Sequence, residues 1–289
     1  MRRRYATEQP VSALALWARR IALFSLAATL IALVIVRSGA LDIVPALSTL
    51  AGAMVLAGVA MLLALAAGIV IWHDGSGGGR HAVVAFLIGA MLLAYPAYLG
   101  VRAYRLPAIY DVTTDPIDPP QFEAIARLRP RDANPVTYAG LYTAEQQHAA
   151  YPDIEPDDTT ATAQEAYDAA MKVITKRRWR VVDARAPQPA LPRAPANTAR
   201  DGTIEAVART PILGFRDDVV VRIRATSDGA RIDVRSASRY GRNDLGANAS
   251  RVRNLIEDID DVLSRPQPAK KQAPPPPNQP GGKGASAKR

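Results

Sequence analysis

The side chains best suited to chemistry gather in one stretch near the carboxyl end of the chain, from Asp233 to Arg253, which contains five arginines. Guanidinium groups donate paired hydrogen bonds to carboxylates and phosphates, and the free N–H groups at the start of a helix favour the same anions. Ion-pair networks gather the same residue types, so the stretch predicts either an anion-binding site or a structural salt-bridge network. The residues of this Arg/Asp cluster are Asp217, Asp218, Arg222, Arg235, Ser236, Ser238, Arg239, Arg242, Asp244, Asn248 and Arg251.

A β-hairpin is predicted to bring the two aspartates of the cluster to its arginines. Alternating apolar residues indicate a strand on each side of Asp228-Gly229, which is a strong signal for a two-residue turn. That turn would place Arg222 directly opposite Arg235. Like charges in opposed positions are unfavourable, so we expect Glu205 of the neighbouring strand or a bound anion to neutralise them.

The sequence offers few groups for catalysis. The chain has no Cys, and His148 is the only His beyond the apolar region, without a recognisable Ser motif to accompany it. No glycine-rich phosphate loop is present. The adjacent carboxylates of Asp157-Asp158 could act in acid–base or metal chemistry, but neighbouring side chains diverge. We therefore predict no catalytic residue, no metal site and no cofactor.

The elements that must position the cluster form a predicted α+β domain over residues 107–264. A capping-box pattern at Thr162 and Glu165 indicates the start of one helix, and an apolar stripe from Val252 to Leu263 indicates another. This order of elements predicts an antiparallel four-stranded sheet with helices on one face. The predicted strands are residues 179–183, 203–209, 217–225 and 230–236.

The charge distribution argues against nucleic-acid binding. The whole chain carries a net charge of +9, but the predicted domain is mildly acidic, with more Asp and Glu than Lys and Arg. The basic excess lies in the apolar amino-terminal region, residues 1–106, and in a Pro-rich segment, residues 265–289, which we predict to be a disordered basic tail. Nucleic-acid binding requires a concentrated basic surface on the folded domain, so no nucleic-acid partner is expected.

The amino-terminal region is predicted to cross a lipid bilayer three times. Its apolar segments lie at about residues 12–36, 43–72 and 82–101. A span requires roughly 20 apolar residues, a length that the second and third segments reach without charges. The first segment reaches it only if Arg19 and Arg20 extend to the membrane surface. The bilayer is therefore an expected partner of this chain.

The arginines beside the spans predict the orientation of the chain. Short cytoplasmic flanks carry an excess of Lys and Arg. Six arginines flank the amino-terminal side (Arg2, Arg3, Arg4, Arg19, Arg20 and Arg80), and three flank the other side (Arg37, Arg102 and Arg105). This count predicts a bacterial inner (plasma) membrane protein with a cytoplasmic amino terminus. Three spans would then place the carboxyl-terminal domain in the periplasm.

The Arg/Asp cluster also resembles a known family. The run R-S-x-S-R-x-G-x-x-D-x-G-x-N-x-x-R, beginning at Arg235, resembles the motif of the domain-of-unknown-function family numbered 1499. Phe215–Val219, Asp111–Asp115 and Pro119–Phe122 are similar to further segments of that family. The resemblance covers about residues 107–264. It implies the boundary of the domain and the importance of the cluster, and it implies no reaction.

Three hypotheses about function stay open at this point. The leading one is an integral membrane protein whose extracytoplasmic domain binds an envelope protein or a small anionic ligand. The second is an envelope structural or assembly factor in which the cluster is purely architectural. The third, less favoured, is an enzyme that uses the cluster. A concave pocket lined by Arg235, Arg239 and Asp218 would favour a ligand or a substrate, whereas a flat and fully paired cluster would favour the architectural hypothesis.

Overall fold

The computed structural model describes residues 10–188 and 200–265. Three long helices are followed by a domain with an antiparallel sheet, which confirms the predicted fold class. The predicted tail lies outside the described residues apart from its first residue.

Three helices are long and apolar enough to cross a membrane, as predicted. They are α1 (Ala13–Ser38), α2 (Ile43–Asp74) and α3 (Gly79–Arg105). Each is longer than the apolar segment that predicted it, because polar and charged residues extend the helix beyond the apolar part. Helix α3 continues through Pro96.

Small residues line the contacts between these helices, while large apolar residues face outward. The buried positions of α2 are all alanines, and those of α1 and α3 are mostly alanine, with one Gly, one Ser, one Thr and one Val. At Gly89 an added Cβ would lie 3.0 Å from the carbonyl oxygen of Ala57, so α2 and α3 approach closely there. Ser25 donates a hydrogen bond of 2.9 Å to the carbonyl of Ala53. Close packing through small residues is typical of helices within a bilayer.

The carboxyl-terminal domain is built on a six-stranded antiparallel sheet. Its order is β1-β6-β5-β4-β3, with β2 also pairing with β6. The strands are β1 (Asp111–Thr113), β2 (Asp157–Thr159), β3 (Arg180–Arg185), β4 (Gly202–Arg209), β5 (Arg216–Ala225) and β6 (Ala230–Ser238). The four predicted strands correspond to β3–β6. The two additional strands have three residues each, too few to show a periodic pattern.

Both faces of the sheet are covered. Helices α6 (Ala163–Lys176) and α7 (Ala247–Ser264) pack on one face around a large apolar core. The chain between β1 and helix α5 (Leu141–Ala150), including the short helix α4 (Ala124–Leu128), covers the other. The prediction of helices on one face is therefore approximate, since α4 lies on the opposite face.

The hairpin of β5 and β6 differs from its predicted register by two residues. Ile223 lies opposite Ile232, and Thr226 N–H donates to the carbonyl of Gly229 at 3.0 Å, so the turn centres on Ser227-Asp228. Gly229 is needed for a different reason: its φ is 154° and an added Cβ would lie 2.1 Å from the Thr159 carbonyl oxygen. The backbone after β2 thus passes directly over Gly229.

A shift of two residues keeps every side chain on its predicted face but changes its opposite neighbour. Arg222 lies opposite Asp233, and Arg235 lies opposite Val220. The prediction that Arg222 faces Arg235 is therefore wrong. No like-charge pair at this position requires a bound anion.

Candidate functional site

The predicted Arg/Asp cluster is divided between the two faces of the sheet. Successive side chains of a strand point to opposite faces, so the neighbours Asp217 and Asp218 are separated by the sheet itself. Asp217, Ser236 and Ser238 lie on the face that carries α6 and α7. The other face carries Asp218, Arg222, Arg235 and Arg239. The sequence stretch therefore forms two separate networks.

On the helix face, Asn248 of α7 lies at the centre of a buried polar network. Ser236 Oγ donates to Asn248 Oδ1 at 2.8 Å, and Asn248 Nδ2 donates to Ser238 Oγ at 3.0 Å. Arg251 pairs with Asp217 at 2.5 Å. Burial raises the pKa of Asp217, and the Arg251 guanidinium opposes that rise. The network connects α7 to the ends of β5 and β6.

Asp244 caps the start of α7. Its carboxylate accepts hydrogen bonds from the backbone N–H groups of Gly246 at 2.9 Å and Asn248 at 2.7 Å. These are among the N–H groups that lack a partner within a helix. Burial raises the pKa of Asp244, while the two N–H groups act to lower it. The acceptor at this helix terminus is therefore supplied by the chain.

On the opposite face, Arg235 is completely buried and held by the protein. Its Nε and Nη2 donate to the two carboxylate oxygens of Asp111 at 3.0 and 2.7 Å. Its Nη1 and Nη2 also donate to the carbonyls of Pro120 and Val136 at 3.0 and 2.8 Å. The ring of Phe122 lies 4.8 Å from the guanidinium carbon. No donor of Arg235 is directed toward solvent.

Burial shifts the pKa values of two acidic groups at this site. It raises the pKa of Asp111, although the hydrogen bonds from Arg235 act in the opposite direction. Burial and the charge of Asp111 raise the pKa of Tyr138 to about 12, and its ring lies 5.5 Å from the guanidinium carbon. The site is a closed ion pair between aromatic rings.

Asp218 is the second buried carboxylate on this face. It accepts from Arg239 Nε and Nη2 at 2.9 and 2.7 Å, and from Arg129 Nε at 2.8 Å. Arg129 Nη1 also donates to the carbonyls of Asn134 and Pro135. Arg129 and Asp218 therefore fasten the segment after α4 to the sheet, and the side chains of Arg235, Arg239 and Asp218 are buried and paired with other groups of the protein.

Further arginines and aspartates form ion pairs nearer the hairpin turn. Asp233 accepts from Arg222 at 3.0 Å and from Arg224 at 2.8 Å. Asp118 contacts the same two arginines at 2.9 and 3.3 Å. Arg242 lies apart from both networks, on an exposed loop, and makes no ion pair with the described residues.

Sequence reasoning missed three partners of the cluster. Asp111 and Arg129 precede it by about a hundred residues, and no local pattern relates either to the hairpin. Asp233 lies within the stretch itself, but the predicted register, which was wrong by two residues, placed it opposite a different residue of β5. Glu205, on β4, accepts three backbone N–H bonds from residues 123–125 at 2.8–2.9 Å and thereby holds the start of α4 on the sheet.

A cavity of about 620 Å³ opens beside these networks, near the first residues of β4. Thr203 Oγ1 is buried there without a hydrogen-bond partner among the described residues. Arg185, in the same wall, pairs with Glu123 at 2.7 Å. The remaining lining residues are Pro120, Gln121, Ala186, Gln188, Arg200, Asp201, Val220 and Arg222. We call this cavity the upper pocket.

The upper pocket is a polar environment with an excess of guanidinium groups. It contains three arginines against two carboxylates. Burial raises the pKa of Asp201, and Arg222 and Arg224 oppose that rise. Within residues 10–188 and 200–265, no three His, Asp or Glu side chains converge as metal ligands would.

Comparison with known proteins identifies the domain at the level of a family. The family described as "Protein of unknown function (DUF1499)" matches residues 111–259, about half of the chain. These residues include every strand, all of α6 and the greater part of α7. No curated protein and no solved structure matches the chain.

Proposed function

Because this chain belongs to the DUF1499 family, whose description assigns no reaction, we propose its function from geometry alone. The chain is a membrane protein, and we propose that its domain binds a small anionic ligand in the upper pocket. The observation that carries the proposal is the conjunction, in one cavity, of three arginines with the buried hydroxyl of Thr203, which has no hydrogen-bond partner within residues 10–188 and 200–265. Its volume lies in the range of small-molecule sites, roughly 300–1,000 Å³.

The arginines of the upper pocket differ in how far the protein already neutralises them. Arg185 and Arg222 have carboxylate partners at 2.7 and 2.9 Å. Arg200 makes no ion pair within the described part of the chain. A buried donor without a partner, such as the Thr203 hydroxyl among the described residues, costs free energy, and a ligand that accepts from it would remove that cost while also contacting the exposed Arg200. An anion with two or more oxygens has the chemistry to do so.

The proposed location is the bacterial inner membrane, with the amino terminus in the cytoplasm and the domain in the periplasm. Support comes from the six arginines on the amino-terminal side against three on the other. Val11 pairs with Gly77, so the start of α1 and the α2–α3 connection lie on the same side. An odd number of spans then places the domain on the opposite side.

The test uses thermal unfolding of the full-length protein in detergent with inorganic phosphate, sulfate, succinate and citrate. We expect at least one anion to raise Tm, as any ligand of the native state does. Arg200→Gln and Thr203→Val should each abolish the increase. Arg180→Gln removes an exposed charge of β3 outside the pocket and should leave it intact. A Tm that responds to none of the anions, or responds equally in Arg200→Gln, would contradict the proposal.

The second candidate is an envelope structural or assembly factor with an architectural cluster. Arg235 donates its hydrogen bonds to Asp111 and to two backbone carbonyls, and this observation favours an architectural role for that part of the cluster. It predicts that variants of the upper pocket leave any anion response unchanged. The same thermal experiment therefore separates the two candidates.

A further inference from the structure

A second pocket lies where the domain meets the membrane helices. Its volume is about 240 Å³, and we call it the boundary pocket. One wall is formed by the end of α1, the start of α2 and the connection between them. The other is formed by the ends of β4 and β5 and the loop that joins them. The charged and aromatic lining residues are Arg37, Asp42, Asp132, Arg209, Phe215, Arg216 and Tyr240.

Two arginines of the boundary pocket oppose each other across the sheet. Arg209, the last residue of β4, lies directly opposite Arg216, the first residue of β5. Among the described residues, neither has a carboxylate within ion-pair distance. Directly opposed like charges destabilise a strand pair, so this arrangement costs the domain stability unless something neutralises it.

A third arginine joins the two walls. Arg37, in the last turn of α1, donates from Nη1 to the carbonyls of Pro211 at 2.5 Å and Ile212 at 3.3 Å. At Gly214, in the same loop, an added Cβ would lie 3.2 Å from Arg37 Cγ. The loop therefore sits directly on the end of α1. Arg37 also has no carboxylate partner within the described residues.

The boundary pocket has an apolar side toward the membrane helices and a charged side toward the domain, as expected at a membrane surface. The end of α1, the start of α2 and their connection contribute the apolar side chains of Val36, Leu41, Ile43 and Ala46, of which Leu41 is exposed. The domain contributes the arginines on the water side. Because span ends lie at the headgroup level of a bilayer, the pocket opens where lipid phosphates are concentrated.

We propose that the boundary pocket binds the phosphate-bearing headgroup of a membrane phospholipid. Arg209, Arg216 and Arg37 would surround the phosphate, and the apolar wall would contact the glycerol and the first acyl carbons. Asp42 and Asp132 line the same pocket, where they can accept from an ammonium or hydroxyl group of the headgroup. The pocket suits a headgroup rather than a whole lipid, whose chains stay in the bilayer.

Tyr240 adds a hydrogen-bond donor to the pocket. Its hydroxyl donates to Asp132 Oδ1 at 3.5 Å, and burial and the nearby charge of Asp132 raise the pKa of Tyr240. A protonated phenol can donate to a phosphate oxygen. The inference concerns a different end of the sheet from the upper pocket and does not depend on the function proposed for that pocket.

The experiment is native mass spectrometry of the delipidated full-length protein in a non-ionic detergent. The probes are dioctanoyl phosphatidylethanolamine, dioctanoylglycerol and inorganic phosphate. We expect one phospholipid per chain, not displaced by dioctanoylglycerol, and at least tenfold weaker binding in the double variant Arg209→Gln/Arg216→Gln. Arg105→Gln is the matched control, because Arg105 lies at the same membrane surface at the end of α3, outside the pocket.

Folding of the variant is checked in the same samples. Removing two opposed like charges should leave Tm unchanged or higher, so weaker lipid binding cannot be attributed to unfolding. Equal phospholipid binding by the double variant and the wild type would overturn the proposal, as would equal binding of dioctanoylglycerol. Arginine-dependent binding of inorganic phosphate without competition from the phospholipid would identify free phosphate as the ligand and overturn the lipid assignment.

Discussion

At the scale of single residues, the domain illustrates how arginine can be placed inside a protein. Removing a guanidinium group from water is expensive unless both its charge and its donors are matched. Arg235 meets both conditions through Asp111 and two carbonyls, with an aromatic ring over its face. Arg37, Arg209 and Arg216 of the boundary pocket, in contrast, are exposed and have no carboxylate partner among the described residues. This difference separates architectural arginines from those available to a ligand.

The buried pair gives the first stability prediction. Asp111→Ala leaves the Arg235 charge buried and uncompensated, and we expect it to lower the free energy of unfolding by about 3–5 kcal/mol. The measurement is denaturant unfolding of the full-length protein in detergent. Asp153→Ala removes the exposed partner of Arg253 and should cost less than about 1 kcal/mol.

A third variant tests the cause of the loss. Asp111→Leu combined with Arg235→Met replaces the pair by apolar side chains, which often recovers most of the stability. A single Asp111→Ala variant as stable as Asp153→Ala would show that the pair is not needed to hold this face.

At the scale of elements, carboxylates connect segments that have little apolar surface of their own. Helix α4 has only five residues, too few to be stable alone, and Glu205 of β4 binds the N–H groups at its start. Hydrogen bonds to Glu205 therefore help to hold α4 on the sheet.

Where β2 meets α7, two carboxylates repel each other and so destabilise the domain. Burial and the nearby charge of Asp260 raise the pKa of Asp157 to about 6. Between its ordinary value near 3.9 and about pH 6, the native state binds more protons than the unfolded state. The free energy of unfolding therefore falls as pH rises through this window.

This repulsion predicts a pH-dependent gain in stability. Asp260→Asn should stabilise the protein by about 1 kcal/mol above pH 6, a magnitude reduced for the partial exposure of Asp157. The gain should shrink toward pH 4, where Asp157 of the wild type is protonated and no longer repels Asp260. Unfolding curves at both pH values measure it, with the exposed Glu145→Gln of α5 as the control. An equal gain at both pH values would exclude charge repulsion as the cause.

At the scale of the whole molecule, the domain is seated on the membrane helices at several points. Arg37 contacts the β4–β5 loop, and Asn243 Nδ2 donates to the carbonyl of Ala103 at 3.4 Å. Strand β4 runs between the two pockets, from Thr203 at the upper pocket to Arg209 at the boundary pocket, a distance of about 20 Å. One face of the sheet therefore extends from the bilayer surface to the site proposed for a soluble anion.

Orientation is the prediction that belongs to this scale. A periplasm-active reporter fused after Ser264 should be active, and a cytoplasm-active reporter at the same position should be inactive. The same two reporters inserted after Ser76, in the α2–α3 connection, should give the reverse pattern. Cytoplasmic activity after Ser264 would overturn the orientation drawn from the arginine count and direct the search toward cytoplasmic anions.

The sequence by itself determined the features that depend on local periodicity. Long apolar runs determined the three spans, because a bilayer imposes length and composition on any helix that crosses it. Alternation determined which side chains of β5 and β6 share a face, because a register error of two residues leaves that assignment intact. The motif that begins at Arg235 determined the family.

Only the tertiary structure decided which charges meet. Arg235 pairs with a residue 124 positions earlier, and Arg129 reaches Asp218 from 89 positions away. No local pattern records such contacts, since they arise when β1 joins the edge of the sheet and the segment after it folds across one face. The same folding placed Arg209 and Arg37 in the lining of one pocket. Local spacing encodes the face of an element, whereas the partner of a charge depends on where the rest of the chain packs.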